Sequence, residues 1–171
     1  MRARALLTLL ALLVLCTLPV RAQDAQRDAT REQLRATLAG YGPKIGVVFH
    51  QSTQNPYNFA GSLRSGLKNS DSLEIVVSVT SKQTVHVSVY PHYKSHYINV
   101  LKAKDSAGLA KQLLRFTDTN FLYWAADDSW DVFSGFTFTL ESGYPDAAIR
   151  TVLASIPGLD EFVGQLRPFI D

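Results

Sequence analysis

The chain has 171 residues, with 17 lysines and arginines against 15 aspartates and glutamates, a formal net charge of +2. Its single cysteine, Cys16, excludes a disulfide framework, so stability has to come from packing. The length fits one domain, and a domain of about 150 residues buries about 68 to 70% of its unfolded surface without staples.

Residues 1–22 read as a cleavable secretory signal. Arg2 and Arg4 form a positive start, Ala5 to Val20 is apolar apart from Thr8 and Thr17, and Val20-Arg21-Ala22 places compact residues where signal peptidase reads them. Two alternatives are a permanent membrane span, for which the apolar run falls short of the roughly 20 residues needed, and a lipid anchor on Cys16, where Leu15 stands in the place of a small residue. Cleavage after Ala22 removes Arg2, Arg4, Arg21 and Cys16. It leaves 14 basic residues against 15 acidic ones, a net charge of −1, and with it no electrostatic argument for nucleic acid or anionic membranes as partners. The expectation is an exported protein, periplasmic or secreted, with a single domain over residues 23–171 and no permanent membrane span.

In chain order, Asp24 to Gly40 is polar and rich in helix formers. Leu34 and Leu38 give it a thin apolar stripe, which predicts a loosely docked first helix. Lys44 to His50, with Ile45, Val47, Val48 and Phe49, predicts a strand. After Asn55-Pro56, the spacing of Phe59, Leu63 and Leu67 predicts a short surface helix. Leu73, Ile75, Val77 and Val79 alternate with polar residues, and Val85, Val87 and Val89 do the same after Ser81-Lys82-Gln83, which predicts a hairpin with one dry and one wet face. Pro91 predicts a break in pairing or an edge position, and Tyr97 to Lys102 another extended segment. Ser106 to Thr117 reads as a helix with Ala110, Leu113, Leu114 and Phe116 on its face. Two aromatic strands follow, Phe121 to Ala126 and Trp130 to Leu140. In the second, Trp130, Val132, Phe136, Phe138 and Leu140 share a parity that predicts the centre of the core. Helices from Pro145 to Ile156 and from Leu159 to Pro168 close the chain. Short turns between neighbouring strands favour an α+β fold, an antiparallel sheet with helices packed on one face.

Four candidate chemistries arise. His86, His92 and His96 share strand parity, so an unbroken strand would place them on one face as metal ligands or simply as exposed histidines. Asp127, Asp128 and Asp131 form the densest acidic cluster, which suits acid/base work or calcium on one reading and ordinary turn chemistry on the other. Tyr93, Lys94, Tyr97, Lys102 and Lys104 interleave like a stacking platform for single strands, although lysines also guard sheet edges. A hydrolase would have to assemble its site from distant residues, because the chain has no G-x-S-x-G elbow, no H-E-x-x-H helix, no phosphate loop and no dinucleotide fingerprint.

Leu113-Leu114-Arg115-Phe116 leading into Phe121-Leu122-Tyr123-Trp124-Ala125-Ala126-Asp127, then Phe136-Thr137-Phe138-Thr139-Leu140 and the Val152-Leu153-Ala154-Ser155-Ile156 helix, give the chain a pattern that resembles the bacterial YbjN family. That family shares its fold with type III secretion chaperones. The resemblance implies a non-enzymatic domain that binds other proteins through sheet and helix surfaces, and it transfers no functional residues. The signal segment departs from the family's usual cytoplasmic setting. The expected function is a non-catalytic binding or adaptor domain of the cell envelope, acting on another protein or a small ligand, with no cofactor and no nucleic acid. The alternative is an exported hydrolase or metal-binding protein using His86, His92, His96 and the Asp127 cluster.

Overall fold

A computed structural model describes residues 24–171 of the chain; the signal reading of residues 1–22 lies outside them. The clearest sequence signal becomes the middle of the sheet. β3 (Ser72–Val79) and β4 (Thr84–Tyr93) pair antiparallel, with Val77 opposite Val87 and Ile75 opposite Val89. Their odd residues are buried from Leu73 to Val89, while Glu74, Ser78 and His86 on the other row stay half-exposed. Around them lie β1 (His50–Gln51), β2 (Asn58–Leu63), β5 (His96–Tyr97), β6 (Tyr123–Ala126) and β7 (Val132–Thr139), in the order β1-β2-β3-β4-β7-β6 with β5 on the end of β4. Every pairing is antiparallel.

Helices α1 (residues 24–41), α2 (Ser106–Thr119), α3 (Asp146–Ser155) and α4 (Leu159–Ile170) cover one face of this sheet. Leu34, Leu38, Leu109, Leu113, Ile149, Leu153, Val163 and Leu166 form a single core with the odd rows of β3 and β4, as the α+β pattern requires. No helix among the described residues is long and apolar enough to cross a membrane.

Several local expectations are corrected. The first helix is firmly docked: the Arg27 guanidinium donates to the Val79 carbonyl at 2.8 Å and lies 3.6 Å over the Tyr57 ring, and the Thr37 hydroxyl donates to Asp146. Lys44 to Phe49 is not a strand, and of the expected run only His50 falls in one, at the start of β1. Gly42–Ile45 forms a 3₁₀ turn ended by Gly46 at φ 74°, and the chain then crosses β2, where a β-carbon on Gly61 would lie 2.5 Å from Val47 Cγ1. Phe59 and Leu63 sit on a strand instead of a helix, because a spacing of four is even and puts both on one face of either element. Pro91 remains inside β4 opposite Leu73, while the ladder to β7 ends at Val89. The following segment is extended at His96–Tyr97 and at Asn99, which bridges Asp131, before Val100–Lys102 turns into a 3₁₀ helix.

On α2 the Asp105 carboxylate, not Ser106, caps Gly108 N–H at 2.8 Å, and Leu109 takes the core position given to Ala110 and Leu114, with Leu114 left 70% exposed. Trp130 lies in the Asp127–Asp131 turn at φ 66° and is exposed, and Phe136 is only partly buried, whereas Val132 and Phe138 are core. α4 runs through Pro168 to Ile170, since a proline near a helix end removes just one hydrogen bond, that to the Gly164 carbonyl.

Candidate functional site

Strand parity that buries one row must expose the other. The even residues of β3 and β4 and the odd residues of β6 and β7 form a sheet face that no helix among the described residues covers, and aromatic rings cross it without interruption. The His92 and Tyr97 ring centroids are 4.2 Å apart, Tyr97 to Tyr90 is 5.9 Å, Tyr90 to Phe133 is 5.5 Å, Phe133 to Tyr123 is 5.9 Å, and Tyr123 to His86 is 6.4 Å. Aromatic neighbours at 4.5–7 Å stabilise one another in offset or edge-on geometry, so the row is a prearranged surface.

At one end Glu74, His92 and Tyr97 meet. Glu74 Oε2 accepts from the Tyr97 hydroxyl at 2.7 Å and lies 3.3 Å from His92 Nε2. Three hollows open around this junction: a groove of about 630 Å³ bordered by His92, Tyr97 and Asp131, another of about 620 Å³ bordered by His50, Arg64, Glu74 and His92, and a smaller pocket of about 210 Å³ between Tyr90 and Tyr97. The hydrogen bond to Glu74, reinforced by burial and by the Glu74 and Asp131 charges, pushes the Tyr97 phenol up to about 12. Burial, then the charge of Asp127, raises Tyr90 as well. Both phenols are therefore protonated at neutral pH, which suits them to hydrogen bonding and ring contact and not to general-base work.

At the other end, His86 Nε2 lies 2.8 Å from Ser88 Oγ, and His86 Nδ1 lies 2.9 Å from Thr137 Oγ1. Burial lowers the His86 pKa, which favours the neutral ring with one donor and one acceptor nitrogen. A hydroxyl beside an imidazole is the start of a nucleophile–base pair, but the third member is a neutral threonine, not a carboxylate. Ser88 is also 6% exposed. The pair satisfies a buried hydroxyl.

The three histidines do not converge. His86 and His92 lie on the open face, whereas Lys94 and Ser95, at φ 51° and 65°, turn the chain back so that His96 pairs with Tyr93, on the opposite parity. No group of three or more His, Cys, Asp or Glu among the described residues is placed to hold a metal ion. Asp127 Oδ1 accepts from the N–H groups of Ser129 and Asp131, and Asp131 Oδ1 accepts from Asn99 Nδ2, so these two aspartates build the β6–β7 turn and also line the Tyr90–Tyr97 pocket, whereas Asp128 is exposed and lies outside that lining. The lysine–tyrosine interleaving splits likewise: Tyr93 and Lys94 bind Asp171 at the chain end, and Tyr97 alone joins the aromatic row.

Glu74, Tyr90, Phe133, Tyr123, Ser88 and Thr137 emerge as site residues only from the structure. Parity marks Glu74 and Ser88 as wet-face positions, but nothing local to β3 or β4 shows that β7 lies beside them. No family model, curated protein or solved structure matches the chain.

Proposed function

We propose that the chain is an exported, non-catalytic binding domain of the bacterial cell envelope that takes another protein or a small ligand on the open face of its sheet. The observation that carries this reading is the unbroken row of rings from His92 to His86, flanked by hydrogen-bonding groups and left uncovered by every described helix. Solvent-facing rings that hold fixed geometry provide contact area with little rotamer entropy to lose on binding. Export rests on the signal-like residues 1–22, and a binding role agrees with the YbjN resemblance of the C-terminal half.

The test is a nuclear magnetic resonance titration of the isotope-labelled protein with soluble peptidoglycan fragments, envelope-derived peptides and organic amines. Binding shifts are expected at Glu74, Tyr90, Tyr97, Phe133 and Tyr123. Shifts confined to α2 and α4, or none with any compound, would sink the reading.

The 2.8 Å contact between Ser88 and His86 favours one rival, a serine hydrolase. Labelling of Ser88 by a fluorophosphonate, lost in Ser88→Ala, would establish that rival. The binding reading expects no labelling, because the oxyanion of a tetrahedral intermediate needs free donors and strand N–H groups are committed to the ladder.

A further inference from the structure

The small pocket on the open face has a composition that selects its occupant. Its walls are the rings of Tyr90 and Tyr97, inclined at 76° to each other, and its rim is Glu74, Asp127 and Asp131. Phe133 backs Tyr90 at 5.5 Å. Each carboxylate has one oxygen engaged, Glu74 Oε2 by Tyr97 and His92, Asp127 Oδ1 by backbone N–H groups and Asp131 Oδ1 by Asn99; the other three oxygens have no hydrogen-bond partner among the described residues. No lysine or arginine among the described residues forms an ion pair with any of the three. The pocket thus combines aromatic faces, whose quadrupoles attract cations, with three carboxylates that no lysine or arginine among the described residues neutralises, His92 alone lying against Glu74.

We propose that this pocket binds an alkylammonium group, held over the Tyr90 and Tyr97 rings and neutralised by Glu74, Asp127 and Asp131. The inference rests on the binding reading above and gives its ligand a chemical class. A hard divalent ion requires six or more converging oxygens, and the carboxylates here are spread around two rings without forming such a set. An organic cation is weakly hydrated and makes good use of the rings. A volume of about 210 Å³ accommodates a methylated ammonium head or the end of a lysine side chain.

The experiment titrates the labelled protein with choline, with its uncharged isostere 3,3-dimethyl-1-butanol, and with Nα-acetyl-lysine amide. Saturable shifts at Tyr90 and Tyr97 with choline support a free small molecule as the source of the ammonium, and shifts with the lysine amide support a partner's side chain. In either case Tyr90→Ala weakens binding about 2- to 30-fold, the range expected for loss of one cation–π contact. The double variant Glu74→Gln, Asp131→Asn keeps acceptors for Tyr97 and Asn99, so it tests charge without removing the framework. It should weaken cation binding and flatten its salt dependence, with an unchanged melting temperature showing that the fold is kept. The proposal is overturned if neither cation moves these resonances, or if the uncharged isostere moves them equally. Should another compound of the envelope panel shift Phe133 and Tyr123 while both cations fail, the ammonium inference falls and the open-face reading stands.

Discussion

Asp160, near the start of α4, accepts two hydrogen bonds from Ser70 across 90 residues of chain, from the backbone N–H at 2.8 Å and from the hydroxyl at 2.6 Å. It also accepts from the N–H groups of Lys68 at 2.7 Å and Asn69 at 3.1 Å. Burial alone would raise the carboxyl pKa. The Ser70 hydroxyl and the three N–H groups outweigh burial and hold it below the usual value. The loop leading into β3 is thereby fixed to α4, and the helix sits so close that a β-carbon on Gly164 would lie 2.8 Å from Asn69 Oδ1.

Asp160→Ala leaves those loop donors without their partner at a buried site. Unsatisfied buried donors cost roughly 1–3 kcal/mol each before relaxation, so the variant should lose about 3 kcal/mol, read as a lower urea midpoint. Its lowered pKa gives a sign: the contribution is present above the ordinary carboxyl range and is lost as pH falls through the folded value, so the gap between parent and variant should close in acid. A loss under about 1 kcal/mol at neutral pH would show that water replaces the carboxylate.

Phe138 and Phe136 share a face of β7 but not an environment. Phe138 is 7% exposed, whereas Phe136 is partly open and leans on Phe138 at 4.8 Å and Phe121 at 6.2 Å. Phe138→Ala should cost about 3–5 kcal/mol, and Phe136→Ala about 1–2 kcal/mol, because the second removes fewer buried contacts. Equal urea midpoints for the two variants would contradict this burial assignment.

Residues 1–22 carry a third expectation: under the proposed export, cleavage leaves a mature chain that begins at Gln23. N-terminal sequencing of material recovered outside the cytoplasm checks it, and a retained, lipid-modified Cys16 would replace the cleaved signal with an anchor.

The β3–β4 hairpin was legible because period-2 alternation over eight residues has one interpretation, and α3 because Ile149, Val152, Leu153 and Ile156 have only the helical one. Phe59 and Leu63 were not, since a four-residue interval satisfies both periods. The candidate face is harder still. It depends on β7 docking beside β4, which sets Thr137 opposite His86 some 51 residues away, and on the positive-φ turn at Lys94 and Ser95 that separates His96 from His92. Parity counts along one strand carry no information about which strand lies next to it, and they fail at any reversal of the chain.

The histidines make the last prediction, because their shared parity hides different environments. His86 is half-buried between Ser88 and Thr137, and burial lowers its pKa below the ordinary value near 6.5. Over the interval between the folded and unfolded pKa values the unfolded chain binds more protons than the native one, so stability must fall as pH drops from about 6.5 through the folded value, and this group adds no further change below it. His86→Gln retains hydrogen-bonding groups but cannot titrate there. Urea unfolding of the parent at about pH 7.5 and about pH 5 should show a loss of stability on acidification that is smaller in His86→Gln. His96→Ala, exposed on the β5 turn, should track the parent within about 0.5 kcal/mol at both values. Parallel pH profiles for the parent and His86→Gln would mean that the ring is already solvated when protonated, and that burial does not hold it neutral.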